Sequence, residues 1–243
     1  MIASTKTSRA QRAMDSAREY GMVNNKLVSQ TKIEEPEAKK KIIVISSSDK
    51  GLCGGIHSSV SRYTRNYLRT HPEEKVVVIG DKAKAQMNRM APMNVAKHFT
   101  HIGSVIPSFE EASAIATEIL QDPELEFDVA DIVYNRFITV ISYEAETIKN
   151  YDIKHITAAP EFLSYEVSEE ILENYNEFMF ANNIYWAIVE GHASEMAAKR
   201  TAMENATNNA NDLIDKLTLI YNRGRQAVIT NELIEVITGA SAL

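Results

Sequence analysis

From Ser168 to Thr238 the chain reads as nearly unbroken helix, and none of its six prolines falls within the last 83 residues. At ~1.5 Å per residue, roughly 70 residues form a rod on the order of 100 Å long, several-fold longer than an average globular helix. A seam can be traced along it at alternating steps of three and four: Phe178, Asn182, Tyr185, Val189, His192, Met196, Lys199, Met203, Ala206, Ala210, Leu213, Leu217, Ile220, Gly224, Ala227, Asn231 and Ile234. This is coiled-coil spacing, with small residues and polar breaks in mid-seam. A small domain cannot wrap a rod of that length, so the seam requires partners.

The first twenty residues supply one. Ala3, Lys6, Ala10, Ala13, Ala17 and Tyr20 share the spacing, and Gly21 reads as the helix stop. Alanine facing alanine lets two helices approach closely. Twenty residues cover only ~30 Å, so either other subunits enclose the remainder or the natural chain extended further at its N-terminus. Met1-Ile2-Ala3 carries no cap and no polar start, which favours a helix already under way.

Between the helical arms the texture changes. The sequence predicts a helix over 1–21, a polar connection over 22–40 that includes Pro36, an α/β domain over 41–165 and the long helix over 166–243. Apolar β-branched runs at Ile42–Ile45 and Val76–Ile79, and a weaker one near His98–Ile102, alternate with helix-compatible sequence, which implies parallel strands. Strands at Asp131–Tyr134 and Ile138–Tyr143 are joined too closely for a helical crossover, so at least one pair there should be antiparallel. The expected fold class is α/β: a long antiparallel coiled coil of N- and C-terminal helices plus a Rossmann-like mixed-sheet domain.

Charge and cysteine usage narrow the function. The net charge of -7 is uneven, since residues 1–20 carry four basic and two acidic side chains and residues 196–243 carry five of each, leaving the acidic excess in the body. An acidic body argues against a nucleic-acid footprint. Cys53 is the single cysteine, which excludes an intrachain disulfide, and no Cys/His cluster has zinc spacing. No apolar run approaches the ~20 residues needed to cross a bilayer, and no basic-apolar leader opens the chain.

The sharpest chemical candidate is the glycine-rich turn Ser46–Gly55, directly after the first strand. Such a turn can cradle phosphate with backbone N–H groups. Its spacing matches neither G-x-G-x-x-G nor G-x-x-x-x-G-K-[ST], so a tight structural turn carrying Asp49, Gly51, Cys53 and Gly54 is the preferred reading. Asp81 follows the second strand as a ribose-binding acid would, as acids commonly do. Cys53 and His57 stand four apart and could be written as nucleophile and base, against the simpler reading of a small core cysteine. His192 is read as a polar break that fixes register rather than a proton carrier, and Phe178, Tyr185 and Trp186 as packing of the rod against the body. Asn205, Asn208, Asn209, Asn211 and Asp212 form a polar face expected to be solvated or subunit-facing.

The C-terminal stretch Tyr221–Ala242, containing Arg223-Gly224-Arg225-Gln226-Ala227-Val228-Ile229-Thr230-Asn231-Glu232-Leu233, closely resembles the signature of the gamma subunit of F-type ATP synthases. Met1-Ile2-Ala3-Ser4-Thr5-Lys6 and Ser48-Asp49-Lys50-Gly51-Leu52-Cys53-Gly54 resemble two further motifs of that family, in the same order. Ile56-His57-Ser58-Ser59-Val60 and Ala227–Leu233 look most like the mitochondrial branch, fungal forms above all. The chain departs from the pattern in its front, where the family has about one further helical segment, and in its α/β body.

The resemblance implies a rotor shaft. Its two terminal helices would pass into a ring of alpha and beta subunits, while the α/β body would sit on the c-ring and meet the delta and epsilon subunits, at the matrix side of the mitochondrial inner membrane. It implies no catalytic residue, cofactor or metal of its own. The expected subunit-interface residues are Lys6, Arg9, Arg225, Gln226, Glu232, Leu233, Ile234 and Ile237, with Arg225 and Gln226 beside Lys6 and Arg9. The α/β body, including the Asp49–Gly55 turn or its neighbours, is expected to bind the c-ring and the delta and epsilon subunits rather than a nucleotide. The alternative left open is a stand-alone nucleotide-binding α/β enzyme with a helical oligomerisation arm.

Overall fold

The computed structural model describes residues 2–31, 33, 40–102, 105–162 and 167–242. Helix α1 spans Ile2–Gln30, followed by β1 (Lys41–Ser46), α2 (Ile56–Leu68), β2 (Lys75–Ile79), α3 (Asp81–Met90), β3 (Val95–Phe99), α4 (Phe109–Leu120), β4 (Val129–Thr139), β5 (Ser142–Tyr151), α5 (Ile153–Thr157) and α6 (Glu169–Ser241). The chain divides into two units, residues 1–201 and residues 202–243. Residues 34–39 of the expected connection, Pro36 among them, lie outside the described residues, as does Leu243.

In the first unit five strands form one sheet in the order β3-β2-β1-β4-β5. The β1–β2, β2–β3 and β1–β4 pairs are parallel and β4–β5 is antiparallel, so the sheet is mixed as the sequence predicts. Period-two alternation in β1 serves two cores at once. Ile42 and Val44 face α4 and α6 together with Val77, Ile79 and Ile132. Ile43 and Ile45 face α2 and α3 with Val60, Leu68 and Met87. Helix α4 is opened by a full capping box, Ser108 accepting from the Glu111 amide while Glu111 accepts from the Ser108 amide.

Two strand boundaries differ from expectation. The third strand is Val95–Phe99 rather than His98–Ile102. The apolar run Ile138–Tyr143, expected as a strand, is the hairpin itself: Thr139 pairs with Ser142, and Val140 and Ile141 make the turn. The partner strand lies further on, at Ser142–Tyr151.

The first helix does not stop at Gly21 but continues to Gln30. Gly21 is there for a different reason. A Cβ on it would come within 2.7 Å of the Trp186 ring, so the missing side chain is the space into which the indole packs. Helices α1 and α6 run antiparallel: Thr7 Oγ1 donates to the Met196 carbonyl, Arg18 pairs with Glu190, and Asn25 Nδ2 donates to Asn183 Oδ1. The true seam on α1 is Thr7, Ala10, Met14, Ala17 and Gly21, packed on Val189, Ala193 and Met196. Lys6 and Tyr20, expected on that seam, are exposed.

Candidate functional site

Three features could carry function: the glycine-rich turn, the crevice behind it, and the helix of the second unit. The turn is closed on itself. Asp49 Oδ1 accepts from the Asp81 amide at 2.7 Å, and the Ser47 amide donates to the Ile79 carbonyl at 2.9 Å. Gly80, at φ +100°, brings its Cα so near that an added Cβ would sit 2.5 Å from the Ser48 nitrogen. Asp81 is thus held to the turn through its backbone.

The Cys53–His57 pair does meet, Sγ lying 3.0 Å from Nε2. The same Nε2 lies 2.8 Å from the Lys50 carbonyl, which can only accept, so Nε2 carries the proton. Nδ1 then accepts from the Ser47 hydroxyl at 2.8 Å. A ring nitrogen already bearing hydrogen cannot deprotonate the thiol. Burial, aided by the Glu195 charge, pushes the Cys53 thiol up to about 11, and burial holds His57 below its usual range. Cys53 is buried, and its contact with His57 ties the turn to α2 without the protonation state that a nucleophile and its base would need.

In a doubly wound sheet, ligands bind outside the carboxyl ends of the strands where the connections reverse direction. Here that switch point lies between β1 and β4. It is filled by α6: Ile188, Gly191, His192 and Glu195 face Ser46, Ser47, Ser48, His57 and Asn135 across it. Ser46 Oγ donates to the Ala187 carbonyl and Ser194 Oγ to the Asn135 carbonyl, stitching helix to strand ends. The crevice that would take a nucleotide is occupied by the chain's own helix.

Outside this plug, Lys6, Arg9, Lys50 and Lys199 line a cleft of about 430 Å³ with Val105, Ile106, His192 and Met196. Two of the expected interface residues, Lys6 and Arg9, thus stand with Lys50 and Lys199. Arg225, Gln226, Glu232, Leu233, Ile234 and Ile237 belong to the second unit.

Sequence reasoning passed over a central group, Glu190. Its side chain is 1% exposed, yet Oε1 pairs with Arg18 at 2.5 Å and accepts from the Phe137 amide at 3.1 Å, while Oε2 accepts from Trp186 Nε1 at 2.5 Å. One carboxylate therefore ties α1, the end of β4 and α6 together. A signal existed: an acid set between Val189 and Gly191, one helical turn after the only tryptophan.

The second unit is a single helical stretch in which Leu213, Leu217, Ile220, Leu233, Ile234 and Ile237 are each more than half exposed. Among the described residues, no helix is long and apolar enough to cross a membrane and no cluster of His, Cys, Asp or Glu could hold a metal ion. Fold and site together define an α/β/α domain whose long helix fills its own ligand crevice and carries exposed large apolar side chains in its last third, an architecture suited to assembly. The chain belongs to the ATP synthase family, whose model matches residues 1–243. It is 44% identical to the mitochondrial ATP synthase gamma subunit of Yarrowia lipolytica, over 100% of this chain and 84% of that protein. It is 42% identical to the gamma subunit of the Rattus norvegicus F(1) complex, over 100% of this chain and 91% of that one. Among solved structures it is similar to a chain of the central stalk and c-ring assembly of Tetrahymena thermophila mitochondrial ATP synthase, with TM-score 0.72, 25% identity, and 85% and 96% of the two chains covered. A chain of the Euglena gracilis enzyme shares the fold at TM-score 0.72 and 19% identity, covering 99% and 93%. These relatives do not favour a stand-alone nucleotide-binding enzyme.

Proposed function

We propose that this chain is the central-stalk rotor subunit of a mitochondrial ATP synthase, working at the matrix side of the inner membrane and contributing no catalytic residue. The observation that carries the reading is the second unit: a helix on which the large apolar side chains of Leu233, Ile234, Val236 and Ile237 spread over about half the circumference and are all exposed. An apolar face that wide, left bare, calls for a covering partner. Alpha and beta subunits of the catalytic head would form the sleeve. Apolar walls bury without directional bonds and so hold an axle while letting it turn.

Torque requires grip as well as clearance. Lys6, Arg9, Lys50 and Lys199 gather positive charge in one cleft of an otherwise acidic body, where charge-assisted hydrogen bonds to acidic loops of the head would act as a catch. Arg225 and Gln226 would provide a second catch further along the helix. The Asp49–Gly55 turn adjoins the first catch through Lys50, which favours the head-facing surface for it over the c-ring end expected from the resemblance. The opposite end of the sheet is left for the c-ring and the delta and epsilon subunits. As the shaft turns, differential contact with open and closed beta subunits shifts their populations, which is the coupling. The test is the double substitution Arg225→Ala with Gln226→Ala in the assembled enzyme. Assembly should be retained while ATP synthesis falls several-fold; unchanged synthesis and hydrolysis would count against the catch.

A further inference from the structure

The plugged crevice is not completely filled. Between the ends of β1 and β4 and the Gly191–Glu195 stretch of α6 remains a cavity of about 10 Å³, the room that one water centre needs. Four side-chain atoms in the residues lining it, Ser48 Oγ, Asn135 Oδ1, His192 Nδ1 and Glu195 Oε1, make no hydrogen bond of ordinary length, although the Ser48 hydroxyl lies near enough to favour the Glu195 carboxylate. Their residues are 5%, 3%, 8% and 2% exposed, so bulk solvent does not satisfy them. Buried polar groups left without partners are rare in native proteins, and an ordered water is the usual remedy.

We infer that this cavity binds a single water molecule, held by Ser48, Asn135, His192 and Glu195, which joins α6 to the ends of β1 and β4. The other polar groups of the cavity are already engaged. Ser46 Oγ donates to Ala187, Ser47 Oγ is bonded to His57, and Asn135 Nδ2 donates to the Ile56 carbonyl, which leaves Oδ1 as its unsatisfied acceptor. Water matches the remaining set. It can donate to Asn135 Oδ1 and Glu195 Oε1 and accept from the Ser48 hydroxyl, with His192 Nδ1 completing the shell.

A monovalent cation of similar size fits less well. Lys50 and Lys199 line the adjoining cleft together with His192, and their charges already favour the Glu195 carboxylate. A further positive charge would meet two ammonium groups from outside, whereas a neutral water meets no such repulsion. The consequence is mechanical: the water closes a gap in the contact between α6 and the ends of β1 and β4.

A high-resolution map of the assembled complex tests this directly. The expected result is a density peak ~2.6–3.2 Å from the Ser48, Asn135, His192 and Glu195 atoms. The peak should persist in Glu195→Gln, which keeps an acceptor, and vanish in Glu195→Met, which replaces the acceptor by an apolar thioether. No peak in the wild-type map, where other buried waters are resolved, would overturn the assignment. So would a peak that survives Glu195→Met, or an anomalous signal at the site after a thallium soak, which would make the ligand a cation. If Glu195→Met does not assemble, the wild-type map and the thallium soak decide the matter between them.

Discussion

Single buried groups set how this domain responds to its surroundings, and His192 is the clearest case. Burial, with the Lys50 charge adding to it, lowers His192 from 6.5 to about 4. A depressed folded-state value means that the unfolded chain takes up the proton first, so stability from this group is complete above pH ~6.5 and lost as pH falls toward 4. The shift corresponds to on the order of 3 kcal/mol at most. His57, also lowered by burial, acts in the same direction. Glu195, raised by burial, acts in the opposite one, its contribution being present at low pH and lost as pH rises through its folded-state value. Comparing His192→Gln with the wild type isolates the one group. Between pH 7 and pH 4.5 the urea midpoint of the wild type should fall further than that of the variant, and parallel curves would show that His192 does not titrate in this window.

At the scale of elements, the α1–α6 pair is held by fit rather than by area. Ala10 and Ala17 admit close approach, Gly21 admits the Trp186 ring, and Glu190 fixes that ring and Arg18 together. Gly21→Ala should therefore destabilise the domain by about 1–3 kcal/mol, the usual cost of overpacking, although alanine is the better helix former. Trp186 is the only tryptophan, so its fluorescence reports the change: a shifted emission with a lower urea midpoint is expected, and an unchanged spectrum would mean that the helices separate freely. This pair also shows what could be read from residues alone. The long proline-free helix, its antiparallel partner and the mixed sheet were legible because periodicity and connection length are local signals. The end of α1 was not, because a glycine that stops a helix and one that receives an indole look alike without the partner. The hairpin was misplaced for a related reason: Val140 and Ile141 have strand propensity and none of the usual turn residues, and only pairing with β5 makes them a turn. The switch-point plug was equally hidden, since nothing local in Gly191–Glu195 says that it will meet Ser46–Ser48.

For the whole molecule, the division of labour follows from where each unit places its apolar surface. The first unit turns its apolar surface inward, around β1 on both faces of the sheet and along α6 from Met179 to Ala197. The second exposes it, with Ile237 at 65% and Leu233 at 57%. Within the chain alone, then, Ile237 and Asn208 are equivalent: both are exposed, and a lysine at either should change stability by no more than ~0.5 kcal/mol. In the assembled enzyme they should part company. If the tail turns inside an apolar sleeve, Ile237→Lys places an ammonium where no water can follow, a cost of several kcal/mol by ordinary burial of an unpaired charge, whereas Asn208→Lys stays on a polar face beside Asn205 and Asn209. The measurement is the yield and ATP synthesis rate of complexes reconstituted with each variant, alongside urea curves of the variants in isolation. Equal assembly with both, from chains of equal stability, would mean that the tail turns in water and that the grip of the shaft lies entirely in the Lys6–Arg9 cleft.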